Sequence, residues 1–341
     1  MGKKVKLSDI ASRFGVSNVT VSKALSGQKG VSEEMRAKII QVADELGYKQ
    51  PSAIRKEMNS TSFNIAVLIH DRYFDKYDSF YLQVYQLLTT EAMKLGCFVM
   101  LEIIDVEMEQ NYVMPKVLSE EKADGIIVLG RMAEYYLDFL NEHSNRPVVY
   151  MDFCNQRQNV DAVISDSFYG SYYLTNYLFE MGHEKIAFVG TVLETSSITD
   201  RYLGYVKSMM EHGKDIPKEY LIPDRPKNDK NMYTPSQLVL PHKMPTAFVC
   251  NCDLSASILI KRLRYEGYRV PEDISVVGYD NYLYPGLCDI NLTTYEVDTI
   301  EMANKAIDLL RKKINKESYK SGINVVEGKL ILGESVKDLV Y

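Results

Sequence analysis

Residues 5–25, VKLSDIASRFGVSNVTVSKAL, show the pattern of two short helices joined by a tight turn. Ser8 and Ser17 stand where hydroxyl side chains cap the start of a helix. Gly15 stands where a residue in the left-handed conformation would end the first helix. Because apolar residues recur at helical spacing in each half, the two helices can pack against each other. The pattern predicts a helix-turn-helix unit, although an ordinary helical hairpin has similar spacing.

The second helix of this pattern turns its apolar residues inward and leaves a polar face outward. The outward residues are Ser17, Asn18, Val19, Thr20, Ser22 and Lys23. In the DNA major groove the amide of Asn18 can read adenine, Val19 can meet a thymine methyl, and Lys23 can reach guanine or phosphate. The three hydroxyl side chains are expected to contact phosphates, which position a protein without reading sequence. This face therefore predicts binding to double-stranded DNA.

Two sequence motifs near the start of the chain resemble those of a known family, LSDIASRFGVSNVTVSKAL at 7–25 and VSEEMRAKIIQVADELGY at 31–48. They resemble the N-terminus of the lactose-repressor (LacI/GalR) family of bacterial transcription regulators. The family's usual arginine in the recognition helix is Lys23 here, and Val19 stands in place of a commoner polar residue. The resemblance implies an operator-binding domain, with both departures bearing on the operator sequence.

Length and composition are those of an ordinary globular protein, with 341 residues, enough for two or three domains, and 46% hydrophobic residues. The opening MGKKVKLSDI holds no apolar run typical of a signal peptide, and no stretch reaches transmembrane length. Five cysteines without framework spacing fit a reducing compartment. These features predict a cytoplasmic protein, and the family resemblance implies a bacterial one that is associated with the nucleoid when it is bound to an operator.

Charge is unevenly distributed along the chain, whose net charge is −6. Residues 1–60 hold 11 Lys and Arg against 6 Asp and Glu, a net charge of +5. The remainder holds 29 basic and 40 acidic residues, a net charge of −11. DNA phosphates would attract the first part and repel the second, although a short segment can be basic by chance.

Residues 49–62, KQPSAIRKEMNSTS, have the composition of a linker and no sustained apolar period. In the LacI/GalR family this region is a hinge that becomes helical on DNA and places a leucine in the minor groove. Alignment of Pro51 with the family's hinge proline puts Met58 at that leucine, with one extra residue after Tyr48. Met58 would then wedge between base steps. The alternative is a solvated linker that carries a methionine by chance.

From residue 64 onward, short apolar runs alternate with helical stretches in two successive series. Such alternation predicts parallel sheets covered on both faces, and two series predict two α/β lobes beside the small all-α helix-turn-helix domain. A helix over residues 80–95 is a candidate dimer surface. The expected division is 1–48 for the helix-turn-helix domain, 49–62 for the hinge, 63–160 with 292–316 for the first lobe, and 161–291 with 317–341 for the second lobe.

Three further motifs lie in the order and at the spacing of the LacI/GalR core: MGHEKIAFVG, DRYLGY and RVPEDISVVGYDN. That core is related to periplasmic sugar-binding proteins. The resemblance implies a homodimer that reads a near-palindromic operator. It also implies a small-molecule effector between the lobes: a sugar or, alternatively, a purine or phosphorylated metabolite. The positions that match the family's effector-binding motifs are Asp152, Ser197, Arg201 and Asp280. The loop HDRYFDKYDSFY adds Phe80 as the fifth candidate effector-binding residue.

Carboxylates and a guanidinium at strand ends suit vicinal hydroxyls, because bidentate hydrogen bonding fits that geometry. Aromatic faces such as that of Phe80 stack on sugar rings or purines. Arg201 and Asp280 could instead form a structural ion pair, and the aromatic residues near Phe80 could belong to a helix core. Cys252 replaces the family's usual asparagine before Asp253, so one hydroxyl-binding amide is missing.

The sequence holds no motif for catalysis, a metal site or a cofactor, and none of the three is expected. The five histidines are scattered, and His183 is predicted to be structural. Two other classes remain as alternatives: a binding protein for transport, disfavoured by the DNA-reading pattern, and an α/β enzyme, disfavoured by the absence of a nucleophile motif. The leading hypothesis is a ligand-responsive repressor of sugar-utilisation genes.

Overall fold

The structure is a computed structural model that describes residues 7–25, 30–45, 62–73, 80–154, 160–226, 232–283, 286 and 288–340. The chain divides into a small unit, residues 1–62, and a large unit, residues 63–341. Among the described helices, none combines the length and the apolar character that crossing a lipid bilayer requires.

The described part of the small unit consists of three helices, α1 (Leu7–Phe14), α2 (Asn18–Leu25) and α3 (Glu33–Glu45). Ser17 caps α2, since its Oγ accepts a hydrogen bond from the Thr20 amide at 3.1 Å. The turn before α2 passes through Gly15 at φ +60°, a conformation that favours glycine. A buried cluster holds the helices together and comprises Ile10, Ala11, Val21, Ala24, Ile39 and Ala43. The predicted helix-turn-helix is confirmed.

The large unit alternates strands and helices, as the apolar runs predict. Its described strands are β1 (Asn64–His70), β2 (Phe98–Ile104), β3 (Gly125–Leu129), β4 (Val148–Met151), β5 (Ala162–Ser165), β6 (Ile186–Val189), β7 (Leu221–Ile222), β8 (Ala247–Cys250), β9 (Ser275–Val277), β10 (Thr294–Glu296), β11 (Ile323–Val326) and β12 (Lys329–Ile331). Its described α-helices are α4 (Phe80–Lys94), α5 (Val106–Gln110), α6 (Lys116–Ser119), α7 (Glu134–His143), α8 (Ser167–Glu180), α9 (Ser196–Glu211), α10 (Asp253–Tyr265) and α11 (Thr299–Ile314).

Two parallel sheets form the two lobes. The first lobe has six strands in the order β11–β5–β4–β3–β1–β2, and the second has four in the order β7–β6–β8–β9. Strands β10 and β12 pair antiparallel in a separate ribbon. Val67 on β1 packs in the same cluster as α4 and α11, whereas its neighbour Leu68 packs with α7. Both faces of the first sheet are therefore covered, which explains its continuous apolar strands.

The lobe boundaries differ from the predicted ones. Strand β5 pairs with β4 and β11 in the first sheet, so the chain first crosses to the second lobe after Ser165 rather than at residue 160. Strand β11, predicted to lie in the second lobe, also joins the first sheet, and the two final strands do not pair with each other. Apolar runs mark where strands are but not which sheet they join, because pairing between distant segments leaves no local periodicity. Helix α11 does pack on the first sheet, as expected.

The segments that connect the lobes lie side by side. The Asp166 amide donates to the Val326 carbonyl at 2.9 Å, and the Asp280 amide donates to the Tyr295 carbonyl at 2.9 Å. The Tyr279 hydroxyl donates to the Asp166 carbonyl at 3.0 Å, which ties the second sheet to the first crossing. The carboxyl ends of both sheets consequently face one cleft.

Candidate functional site

Helix α2 of the small unit presents the predicted outward face to solvent. Its exposed residues, with the capping residue, are Ser17, Asn18, Val19, Ser22 and Lys23. Val19 is 63% exposed, an unusual position for an apolar side chain and one that suits contact with a thymine methyl. Thr20 is half-buried, and its hydroxyl lies 2.9 Å from the Ser17 hydroxyl. The local fold therefore leaves this face available to DNA.

The cleft of the large unit is organised around Arg201 on helix α9. Its guanidinium donates to Asp280 Oδ1 at 2.9 Å and to the Asn251 carbonyl oxygen at 2.5 Å. Its Cζ atom lies 3.7 Å from the centre of the Tyr279 ring, a cation–π contact. Burial opposes the charged form, but the carboxylate of Asp280 outweighs it and raises the pKa of Arg201. The guanidinium is thus a fixed, fully charged donor.

Asp152 faces this pair from the first lobe, just after β4. The Tyr81 hydroxyl donates to Asp152 Oδ2 at 2.7 Å, and the Tyr81 ring lies 4.3 Å from the Tyr73 ring. Burial raises the pKa of Asp152, while the bond from Tyr81 and the charge of Arg201 lower it. Since Asp152 also raises the pKa of Asp280, the charged groups of the two lobes interact across the cleft. The structure brings together three of the five predicted effector residues.

Both cleft carboxylates belong to residues with an unusual backbone. Asp152 has φ +63° and Asp280 has φ +98°, in a region that residues with a side chain rarely adopt. Such strain persists where the surrounding structure holds it, and it concentrates at binding sites. Asp152 directly follows β4 in the first lobe and Asp280 lies three residues after β9 in the second, so each lobe contributes one carboxylate in this conformation.

Two neighbouring carboxyl groups of the second lobe differ in protonation. Burial raises the pKa of Asp280 to about 6, against the lowering effect of Arg201. Burial and the charge of Asp280 raise the pKa of Asp253 to about 8. Asp253 accepts hydrogen bonds from the Thr294 hydroxyl at 2.7 Å and from the Tyr282 amide at 2.8 Å. Burial therefore favours the neutral form of Asp253 more strongly than that of Asp280.

The predicted aromatic residue Phe80 lies at the start of α4. Its ring lies 5.6 Å from Tyr81 in the first lobe and 6.1 Å from Tyr282 in the second. Phe80 therefore contacts aromatic rings of both lobes, while its partly buried side chain also packs against the hydrophobic core. Phe74 and Tyr77, two other aromatic residues in the loop HDRYFDKYDSFY, and the hinge residue Met58 lie outside the described residues.

Ser197 and His183 have local roles in the structure. The Ser197 hydroxyl lies 3.0 Å from that of Thr195, which caps α9 by accepting from the Ile198 amide. The His183 ring lies 3.1 Å from both the Thr246 hydroxyl and the Lys337 carbonyl, which ties the tail to the second lobe. His183 is structural, as predicted.

The sequence did not single out Arg225, which follows β7. Its guanidinium donates to Asp224 Oδ2 at 2.8 Å, and Asp224 in turn accepts from the Thr191 amide at 2.9 Å. Opposing burial, Asp224 raises the pKa of Arg225, and Cys252 and Glu194 lie close enough to contribute. Arg225 therefore belongs to the second-lobe wall of the cleft. The only sequence signal is an Asp-Arg pair in a segment without a clear helical period.

Cys252 occupies the position of the missing amide and caps helix α10. Its Sγ accepts a hydrogen bond from the Ser255 amide at 3.4 Å. The neighbouring Asn251 does not replace the amide, because its Nδ2 donates to the Val189 carbonyl and to Asp224. The departure at Cys252 thus leaves the second-lobe wall with charged groups rather than an amide.

Comparison with known proteins finds a match for each of the two units. Residues 6–51 match the family model of bacterial regulatory proteins, lacI family, and residues 175–336 match that of a periplasmic binding protein-like domain. The HTH-type transcriptional repressor PurR of Vibrio campbellii is 27% identical over 343 residues, which is 98% of this chain and 99% of that protein. PurR of Pasteurella multocida is 28% identical over 97% of this chain and 98% of that protein.

Solved structures show the same fold. A complex of the transcriptional regulator CelR with cellobiose matches with a TM-score of 0.66 at 21% identity, over 97% of this chain and 99% of that chain. A lac repressor dimer bound to operator and an anti-inducer matches with a TM-score of 0.65 at 21% identity, over 98% of this chain and 100% of that chain.

A DNA-reading helical unit and a two-lobed α/β core with a charged cleft define a ligand-responsive transcription regulator. The resemblance to the LacI family that residues 7–48 carry is confirmed, since residues 6–51 match that family's model and the chain is similar to HTH-type repressors over nearly its whole length. The chain is a ligand-responsive, DNA-binding repressor.

Proposed function

We propose that this repressor controls carbohydrate-utilisation genes and that its effector is a sugar bound between the two lobes. The observation that carries the proposal is the facing arrangement of Asp152 and the Arg201–Asp280 pair. Carboxylate oxygens accept hydrogen bonds from hydroxyls, and a guanidinium donates two parallel ones. Together these groups suit adjacent hydroxyls on one sugar ring.

Aromatic side chains complete the proposed sugar site. Phe80 lies between Tyr81 and Tyr282, so an effector against its ring would touch both lobes. A sugar ring has an apolar face of axial C–H groups, which an aromatic ring covers at little desolvation cost. Closure of the lobes on the effector would then alter the arrangement of the DNA-reading unit, which couples the two binding equilibria.

A purine effector is the second candidate, favoured by the similarity to PurR proteins over nearly the whole chain. A flat purine would stack on Phe80 and accept or donate hydrogen bonds at Arg201 and Asp280. It carries fewer hydroxyl donors than a sugar, so Asp152 would contribute less to its binding. The dependence on Asp152 therefore distinguishes the two candidates.

The proposal for DNA recognition follows from α2. Two copies in a homodimer would place Asn18, Val19 and Lys23 in the half-sites of a near-palindromic operator, with the Ser17, Thr20 and Ser22 hydroxyls at phosphates. Met58 in the hinge would wedge into the minor groove at the operator centre. The repressor would be cytoplasmic, associated with the nucleoid when it is bound to the operator.

The cleft is proposed to bind its ligand without converting it. Burial, followed by the charge of Asp280, raises the pKa of Cys252 to about 11, so this thiol is neutral at physiological pH. A neutral thiol is a poor nucleophile. Asp152 and Asp280 both interact with Arg201, an arrangement typical of ligand binding.

Thermal-shift measurements on the full chain test the effector class, with cellobiose, glucose and hypoxanthine as probes. A ligand that binds only the folded state raises Tm in proportion to the logarithm of its concentration over Kd. We expect a sugar to raise Tm in the wild type and in the control Asp215→Asn, an exposed position, but not in Asp152→Asn. A rise with hypoxanthine alone, retained in Asp152→Asn, would replace the sugar proposal by the purine one.

A further inference from the structure

A groove of about 360 Å³ lies between helix α8 and the segments that connect the lobes. Six of its lining residues are Tyr173, Tyr177, Glu180, Tyr295, Glu327 and Leu330. The three residues from α8 share one face of the helix, since they are spaced by four and three positions. No residue of this set belongs to the effector cleft described above.

Tyrosine rings form the walls of the groove. Tyr295 is almost fully buried, and its hydroxyl accepts a hydrogen bond from the Gly328 amide at 3.0 Å. A Cβ atom at Gly328 would lie 2.5 Å from the Tyr295 ring, so glycine is needed for the chain to pass this close. Tyr173 is 44% exposed and covers the groove from the α8 side. Tyr295 therefore forms a rigid base, and Tyr173 together with the half-buried Tyr177 provides the accessible aromatic surface.

Negative charge surrounds these rings. Glu180 and Glu327 line the groove, and the one cation among the described lining residues, Lys329, lies 2.8 Å from a carboxylate oxygen of Glu296. Burial raises the pKa of Tyr295 to about 12, with a further rise from Glu327, so its ring remains a neutral phenol. Tyrosine faces and carboxylates both favour a positive charge.

We propose that this groove binds a small organic ammonium ion, held by the rings of Tyr173 and Tyr177 and by the carboxylates of Glu180 and Glu327. An inorganic divalent cation would require several oxygen ligands at short distance. An alkylated ammonium ion instead keeps an apolar surface, which matches aromatic walls and needs only nearby negative charge. The ligand class follows from the combination of rings and carboxylates.

The groove lies behind the floor of the effector cleft. The Tyr295 ring lies 5.3 Å from the Tyr279 ring, and Tyr279 lies directly beneath Arg201. Glu327 and Leu330 belong to the last connection between the lobes. A bound ammonium ion would therefore contact both helix α8 of the second lobe and a segment that connects it to the first lobe.

Calorimetry on the full chain with choline as the probe tests the proposal, with the uncharged isostere dimethylbutanol as the matched ligand. Choline is expected to bind with a Kd of roughly millimolar order and the isostere at least about tenfold more weakly, because only the charge differs. Equal affinity for the two probes, or no binding of choline, would overturn the proposal.

Variants locate the binding to the groove. Tyr173→Ala and the double variant Glu180→Gln with Glu327→Gln should each weaken choline binding about three- to tenfold, and Tyr173→Phe should restore it because the ring remains. The controls Tyr265→Ala, at a residue 85% exposed, and Glu142→Gln, on the outside of α7, should bind choline like the wild type. Wild-type affinity in Tyr173→Ala and in the double glutamate variant would contradict the assignment.

Discussion

The two walls of the effector cleft are built differently. The first-lobe wall consists of aromatic rings around one strained carboxylate, Asp152, whose direct partner is the Tyr81 hydroxyl. The second-lobe wall consists of two guanidinium groups, Arg201 and Arg225, each held by a carboxylate at 2.8–2.9 Å. Loss of one aromatic contact reduces the binding free energy by a small amount. Removal of one partner from a buried ion pair costs much more, because the other charge is left buried without compensation.

The two lobes are therefore expected to contribute to effector binding in different ways. The second lobe provides charge in fixed positions, because its guanidinium groups are bound on several sides before any ligand arrives. The first lobe provides surface and one acceptor, which approach the ligand as the lobes close. We expect changes in the second lobe to abolish binding or stability and changes in the first lobe to reduce affinity by degrees.

The largest effect is expected for Arg201→Ala. It removes the bidentate donor and leaves Asp280 buried without its partner, a loss of about 2–5 kcal/mol in effector binding. Calorimetry with the sugar found in the thermal-shift screen should detect no binding, while operator affinity without ligand stays near the wild-type value. Unchanged effector affinity would contradict the assignment. A drop in Tm without ligand, accompanied by normal binding, would identify the Arg201–Asp280 pair as structural only.

The next effect concerns the protonated Asp253 behind the second-lobe wall. Because its pKa is raised to about 8 in the folded state, folding holds a proton that the unfolded chain releases, and stability contributed by Asp253 falls as pH rises toward 8. Asp253→Asn can still bond to Thr294 and the Tyr282 amide without ionising. The loss in the wild type begins near the pKa of the unfolded chain, about 4, so the stability advantage of Asp253→Asn should grow by about 2 kcal/mol between pH 6 and pH 8.

Denaturant unfolding at pH 6 and pH 8 measures this difference between the two proteins. Asp280, with a pKa of about 6, also titrates near the lower pH in both proteins, so the difference between the two proteins, rather than either curve alone, reports on Asp253. The exposed variant Asp215→Asn is the control and should follow the wild type at both pH values. Parallel losses of stability in the wild type and in Asp253→Asn would show that Asp253 is ionised in the folded protein.

A smaller, graded effect is expected for Tyr81→Phe in the first lobe. The change removes one hydrogen bond to Asp152 and keeps the ring, which costs about 1 kcal/mol, or roughly fivefold in effector affinity. Tyr265→Phe, at an 85% exposed position, serves as the matched control. A complete loss of binding in Tyr81→Phe would contradict the division between the two walls.

The smallest effect should come from the mouth of the cleft. The Arg131 guanidinium in the first lobe donates to the Glu194 carbonyl in the second at 2.7 Å. Since Arg131 is exposed, solvent replaces much of this bond when it is lost, so Arg131→Ala should speed effector dissociation only about two- to threefold. Stopped-flow dissociation measures the rate. An unchanged rate would show that this bond does not hold the lobes together.

The sequence predicts the elements that depend on local pattern. Helix α4, Phe80–Lys94, ends within one residue of the predicted helix over residues 80–95, and the capped start of α2 follows from Ser17. Local periodicity and capping chemistry suffice for such features. Asp152 and Asp280 are assigned by similarity to the LacI/GalR motifs rather than by local pattern.

Features that depend on distant contacts were not predictable. The pairing of β5 with β11 joins residues that lie about half the chain apart, and no periodicity records it. Arg225 follows a strand of two residues, Leu221–Ile222, too short to stand out. The positive φ angles of Asp152 and Asp280 have no sequence signature, since these conformations are imposed by the surrounding fold.

The most direct test of the account is the coupling between the cleft and the operator in the full chain. Operator affinity is measured with and without a saturating amount of the sugar found by thermal shift, in the wild type and in Arg201→Ala. The account predicts that the sugar changes operator affinity of the wild type by at least about fivefold, that bound operator changes sugar affinity by the same factor, and that Arg201→Ala shows no change. Equal operator affinity of the wild type with and without the sugar would contradict it.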